Sequence, residues 1–171
     1  MRLVPVLTLA GAVVAAAAAA PAALAWAADD EWGLNGTYSA TSNGEWAKKN
    51  EVFRDEAVVR ATWTITTQCS YPTDCTGTVV SDQGWEAPIY QKGGIWYVKH
   101  TVPRWEPCPD GTAADGLQVF RFVPTVEDGS QTDPDSDMLV GEDQTTGPSG
   151  ACGISKPLFI TMPFKLVKLS D

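Results

Sequence analysis

Nucleophilic catalysis needs a nucleophile, a base within hydrogen-bond reach and a third group that orients the base. The chain offers one histidine, His100, and one serine in a suggestive loop, Ser149 within Gly147-Pro148-Ser149-Gly150. His100 falls in an alternating run, on the face that carries Trp96 and Val98. That makes it an ordinary strand residue, and nothing around Ser149 supplies a base. The Gly-Pro-Ser-Gly stretch reads as a turn and the chain as a non-enzyme. Carboxylate pairs suited to glycoside hydrolysis cannot be recognised by spacing alone, so a secreted hydrolase stands only as a third reading.

Metal chemistry fares no better. One histidine and four cysteines that are expected to be oxidised leave no zinc set. In the acidic stretch Glu127–Asp143, Asp133, Asp135 and Asp137 alternate as the carboxylates of a calcium loop do. An EF-hand needs Gly at its sixth position and Glu at its twelfth; here those are Met138 and Gln144. The stretch reads as a solvated acidic loop, and no metal or cofactor is expected.

The cysteines carry the strongest signal. Cys69 and Cys75 flank the short segment Ser-Tyr-Pro-Thr-Asp, and Cys108 and Cys152 each sit in a Gly/Pro-rich loop. They follow what reads as a secretory signal peptide at residues 1–27: Arg2, an apolar Ala-rich run from Leu3 to Ala20, and Ala25-Trp26-Ala27 with small residues at −3 and −1. Pro21 and the lack of a following Lys/Arg stop argue against a retained anchor, so no stable membrane insertion is expected after cleavage. An exported chain meets an oxidising environment, and an even cysteine count behind an export signal reads as a disulfide framework. Residues 28–171 then form a single disulfide-bonded domain of ordinary size, secreted or otherwise extracytoplasmic. The net charge of −9 argues against nucleic acid and against anionic lipid surfaces.

The elements that must position these residues are strands. Short alternating runs recur between Gly, Pro, Asn and Asp, and only Glu45–Arg54 shows a weak helical period. Eight candidates emerge: Leu34–Thr41, Ala57–Thr67, Cys75–Ser81, Glu86–Gln91, Ile95–Val102, Leu117–Val123, Asp137–Gly141 and Leu158–Lys168. In the second, Val59, Ala61, Trp63 and Ile65 share one face and Arg60, Thr62, Thr64 and Thr66 the other, so the first set is core. Pro163, inside the last candidate, lacks an N–H and marks an edge or a bulge. The fold class is all-β: an eight-stranded up-and-down antiparallel β-barrel, lipocalin-like, with a β-sandwich as the alternative.

Loop parity in such a meander restricts the cysteine pairing. Cys69 and Cys75 share one turn, while Cys108 and Cys152 lie in two loops at the opposite end. A disulfide needs Cα atoms within about 7 Å, so Cys69–Cys75 with Cys108–Cys152 is favoured over pairings that join the two ends. The loop end that carries Cys108 and Cys152 also carries Trp46 and Trp105. Ligands enter barrels at such mouths, so these two tryptophans are the candidate ligand-binding residues; the competing reading is that both plug the core. Six mature tryptophans leave a carbohydrate-binding face open. Asn35-Gly36-Thr37 matches a glycosylation sequon.

Trp32-Gly33 just ahead of the first strand, with the strand count, resembles lipocalin-like barrels in architecture, although the order of the Gly-x-Trp element is reversed and no binding residues carry over. The blocks Thr62–Trp85, Cys108–Gly116, Thr145–Gly153 and Met162–Leu169 resemble small secreted actinobacterial proteins of mycobacterial type. That likeness implies secretion and a two-disulfide β-domain of unknown function, and brings no catalytic residues. The expected function is a secreted non-enzymatic β-barrel that binds a small apolar ligand or a cell-envelope component. The alternative is an extracytoplasmic protein-interaction module with a packed interior.

Overall fold

The computed structural model describes residues 32–171, so the signal segment expected at residues 1–27 lies outside the described residues. The strands are β1 (Gly36–Ser42), β2 (Lys48–Lys49), β3 (Val52–Phe53), β4 (Val59–Tyr71), β5 (Asp74–Ser81), β6 (Glu86–Lys92), β7 (Ile95–Pro107), β8 (Ala113–Pro124), β9 (Met138–Thr146) and β10 (Phe159–Ser170). Eight of them, β1 and β4 to β10, form a meander in which each pairs antiparallel with the next. β10 returns to pair with β1 from Ser170 opposite Thr37 to Phe164 opposite Ser42. One sheet closed on itself is a barrel and not a sandwich, and closure leaves the eight long strands without a free edge. Among the described residues no helix is long and apolar enough to cross a membrane.

The alternation read from the sequence sets the inside. Tyr38, Ala40, Trp63, Ile65, Val79, Ile89, Trp96, Val98, Phe120, Phe122, Leu139, Phe164 and Leu166 are buried in one cluster. Trp63 is at its centre, with ring centroids 4.9 Å from Phe120, 5.2 Å from Phe164 and 5.4 Å from Trp85. Aromatic rings meeting edge-on or tilted at these spacings contribute beyond their buried area. The middle of the barrel is therefore filled. Tyr38 is enclosed with its hydroxyl donating to the Asn35 carbonyl at 3.3 Å, and burial, with Asp137 and Asp171 nearby, pushes its pKa up to about 12.

Three local expectations need correction. The weak helical period at Glu45–Arg54 yields only one 3-10 turn, Gly44–Trp46, followed by the two-residue strands β2 and β3. This small hairpin attaches to β10 through Lys49 opposite Ile160 and Lys48 opposite Thr161. Pro163 explains the arrangement: β1 pairing with β10 stops at Phe164, β2 pairing starts at Thr161, and the Pro163 carbonyl between them accepts from the Asn43 N–H at 2.8 Å. A residue without an N–H fits where one neighbour hands over to another. Second, Cys69 and Cys75 are not in a turn. β4 and β5 run on past them, and the two residues face each other across the ladder. Third, the seventh candidate strand does not end at Gly141: β9 continues to Thr146 and carries Asp143 inside the barrel.

Both disulfides have the pairing that parity favoured, Cys69–Cys75 with Cα atoms 4.0 Å apart and Cys108–Cys152 with 5.0 Å. In the chain-entropy account the short loop contributes about 2.4 kcal/mol and the long one about 4 kcal/mol. The longer bridge fixes the β7–β8 turn against the β9–β10 loop at one end of the barrel.

Candidate functional site

That end is an open mouth. Its cavity, about 280 Å³, is walled by Val59, Val102, Trp105, Ile160 and Met162, with Gln118, Asp143, Thr145 and, half-buried at the rim, Glu56 also reaching it. Trp105 reaches the mouth through a bulge. Between the pairs Val102–Gly116 and Glu106–Ala114, β7 spends more residues than β8. Arg104 takes a positive φ of 54° there, and its N–H is held by the Asp115 carboxylate at 2.8 Å. In an unbroken strand Trp105 would share the outer face with Lys99 and Thr101; a bulge re-aims the side chains that follow it. Two glycines make room. A Cβ on Gly116 would lie 2.8 Å from the Trp105 indole, and one on Gly147 would collide with the Glu106 carboxylate.

Beneath the mouth, a polar layer interrupts the apolar interior. Asp143 is buried, 3% exposed. Its Oδ2 accepts from the Ser42 hydroxyl at 2.7 Å, and both oxygens accept from Gln118 Nε2 at 2.9 Å. Burial pushes the Asp143 carboxyl above its usual range, Glu142 adds to this, and the Ser42 and Gln118 hydrogen bonds oppose it. The two ion pairs found among the described residues, Arg121 with Glu142 and Lys168 with Asp171, do not include Asp143. His100, also inward, stacks on Trp85 with ring centroids 4.1 Å apart. Burial lowers its pKa, with partial opposition from the Gln118 side chain and the Thr101 carbonyl. A space of about 20 Å³ lies between Trp63, Trp85, Gln118 and Phe164, enough for one water molecule.

The two tryptophans singled out from the sequence part company. Trp105 lines the mouth. Trp46 is 62% exposed and meets Phe53, equally exposed, edge-on at 6.5 Å on the β2–β3 hairpin. The centre of the core is filled by Trp63 and Trp96, with Trp85 packed against it. Ser149 and His100 are not brought together. The Ser149 hydroxyl donates to the Ser155 carbonyl at 2.9 Å in an exposed loop. Asp133 and Asp135 are tied in a local turn, the Asp135 N–H on the Asp133 carboxylate at 3.2 Å, and no group of three metal-ligating side chains occurs among the described residues. Asn35 is a structural residue: its Oδ1 accepts from the Thr67 N–H at 2.8 Å, and its Nδ2, the atom a glycan would occupy, is enclosed.

Sequence reasoning missed Ser42, Gln118 and Asp143. The signal was there in the alternation. Ser42 continues Tyr38 and Ala40, Gln118 precedes Phe120 and Phe122 by the same step, and Asp143 follows Leu139 and Gly141. Ending the seventh strand at Gly141 concealed the last of these.

At the other end of the barrel a larger hollow of about 410 Å³ lies between the N-terminal segment at Trp32–Leu34 and the turn residues Pro72, Gly94 and Pro134. Its one acidic lining residue, Asp135, is exposed, so it lacks the buried charge that distinguishes the mouth.

No family model and no curated protein matches the chain. Among solved structures, the sensor domain of PknI from M. tuberculosis, in its monomer form, is similar at a TM-score of 0.57 and 18% identity, over 81% of this chain and 88% of that one. At that identity the likeness is one of fold: the chain has the β-barrel architecture of a mycobacterial sensor domain.

Proposed function

We propose that this protein is an extracytoplasmic, non-catalytic binding module that takes a small ligand at the mouth of its barrel. The observation that carries the reading is the contrast within one barrel. The middle is packed with aromatic rings, while the disulfide-braced end holds an open cavity of about 280 Å³ with an aromatic wall and a buried carboxylate. Ligand pockets combine apolar walls with a few placed polar groups, and this volume lies near the lower end of their usual range of about 300–1,000 Å³. The two disulfides fit an oxidising location such as the expected signal segment would lead to, and the fold shared with a sensor domain is compatible with recognition in place of catalysis. Apolar walls favour a small, partly apolar ligand, a free metabolite or a piece of an envelope component.

Native mass spectrometry of the protein purified from its own culture medium tests this. The expected result is an added mass that is lost in a Thr145→Trp variant, whose ring would fill the cavity. A bare protein mass, together with no chemical-shift change at Trp105 or Gln118 on titration with a mixture of small aromatic fragments, would overturn it. The interaction-module reading retains one observation in its favour, the exposed Trp46, Val52 and Phe53 on the β2–β3 hairpin.

A further inference from the structure

The mouth carries more chemical information than its shape, and the following rests on the reading of it as a ligand site. We propose that its ligand is a small organic cation, an ammonium group on an apolar body, with Asp143 as its counter-ion.

The argument starts with the unbalanced carboxylate. Asp143 is buried, reaches the mouth cavity and, among the described residues, pairs with no lysine or arginine. Its nearest polar partners, Ser42 and Gln118, each offer one donor atom to it. The three contacts these two donors make occupy about three of a carboxylate's four acceptor positions, which leaves one open. Whatever fills it must bring a donor. A buried ion is stabilised only when paired and hydrogen-bonded, so a cationic donor complements the site better than a neutral one. His100 does not supply the missing charge, since its burial holds the imidazole towards the neutral form.

The walls point the same way. Trp105 presents an aromatic surface to the cavity, and indole faces attract cations within about 6 Å. Val102, Ile160 and Met162 offer apolar and polarisable contact to the body of the ligand. At longer range the chain's net charge of −9 raises the local concentration of cations and opposes anions.

Benzylammonium and its neutral counterpart benzyl alcohol separate charge from shape. Both are titrated into the disulfide-intact wild-type protein at neutral pH, read by calorimetry and by the Trp105 indole N–H in proton–nitrogen spectra. The amine should bind at least roughly tenfold more tightly than the alcohol, equivalent to about 1.4 kcal/mol. In Asp143→Asn, which keeps an oxygen for the Ser42 hydroxyl, that preference should disappear. Equal binding of the two in the wild type, with Trp105 shifting for both, overturns the cation inference and leaves the mouth as a ligand site. Binding of neither, with Trp105 unmoved, removes both. The wild-type comparison decides even if the variant does not fold. A variant that folds and retains the preference for the amine would assign the counter-ion to another group and overturn the role of Asp143.

Discussion

Trp85 lies face to face on His100 inside the barrel, ring centroids 4.1 Å apart and planes 14° from parallel. An imidazole enclosed in this way favours its neutral form, and burial lowers the His100 pKa from its ordinary 6.5. The unfolded chain therefore binds the His100 proton first as pH falls. The stability associated with the neutral ring is fully present above 6.5 and is lost as pH falls towards the folded-state value. Asp143 works in the opposite direction. Its raised pKa means that the folded state holds the proton longer, so its contribution is fully present below 3.8 and declines as pH rises through the folded-state value. Denaturant midpoints measured across pH should show His100→Gln with a shallower loss below 6.5 than wild type. They should show Asp143→Asn without the decline that begins above 3.8. A His100→Gln profile that runs parallel to wild type would mean that the ring is not held neutral.

The disulfides should differ in what they contribute. Cys108–Cys152 closes the longer loop and ties two loops together at the mouth; Cys69–Cys75 joins two residues already paired across adjacent strands. Replacing Cys108 and Cys152 with serine should cost about 4 kcal/mol, against about 2.4 kcal/mol for Cys69 and Cys75. Urea denaturation of the two double variants makes the comparison, and a larger loss from the short bridge would show that native-state packing, not loop entropy, dominates.

How much of this was readable in advance depended on how local the signal was. Trp63, Phe120 and Leu166 announce their side through period-two alternation, and the meander then fixes which turns share an end, so the barrel and both disulfide pairings follow. The mouth did not follow, because its pieces obey longer-range rules. Trp105 reaches inward only through a bulge that depends on Arg104 and Asp115. Asp143 closes the stretch Glu127–Asp143 that reads as a solvated loop, yet it lies in β9 and is buried, and its partners Ser42 and Gln118 lie 101 and 25 residues away. Trp46 looked like a mouth residue because its loop belongs to that end. Pairing of Lys48 and Lys49 with β10 holds that loop as a separate hairpin instead.

The separation of Trp46 from the mouth has a direct consequence. Trp46→Ser should leave the binding of an aromatic fragment at Trp105 unchanged and shift denaturation by less than about 1 kcal/mol, as exposed positions usually do. Weakened binding in this variant, with folding intact, would place the hairpin over the mouth in solution.

Calcium should leave the protein nearly unaffected. A ligand at concentration L that binds only the folded state stabilises it by RT ln(1 + L/Kd) and so raises the melting temperature appreciably only when L exceeds Kd, and the Asp133 carboxylate is engaged with the Asp135 N–H within its own turn. Millimolar calcium should therefore not move the thermal midpoint measurably. A rise of several degrees that vanishes in Asp135→Ala would establish a site in this loop.

Trp63 and Thr64 provide the sharpest test of the barrel itself. Trp63 is 1% exposed and touches Trp85, Phe120, Phe122 and Phe164. Thr64, the next residue, faces outward between its β1 partner Thr37 and its β5 partner Val80. Truncating a buried tryptophan typically costs about 3–5 kcal/mol, from lost transfer energy and the cavity left behind. Domains of this size hold roughly 5–15 kcal/mol in all. Trp63→Ala should thus lower the denaturation midpoint severely or prevent folding, while Thr64→Ala should cost well under half as much. Because a one-residue slip in register exchanges the two faces of a strand, the reverse order of effects would place Thr64 inside and Trp63 outside. The aromatic packing that fills the barrel and floors its mouth would then be wrong together. Near-ultraviolet circular dichroism adds a reading that stability alone does not. The fixed ring geometry around Trp63 should give a strong signal that Thr64→Ala preserves, whereas any folded fraction of Trp63→Ala should lose much of it.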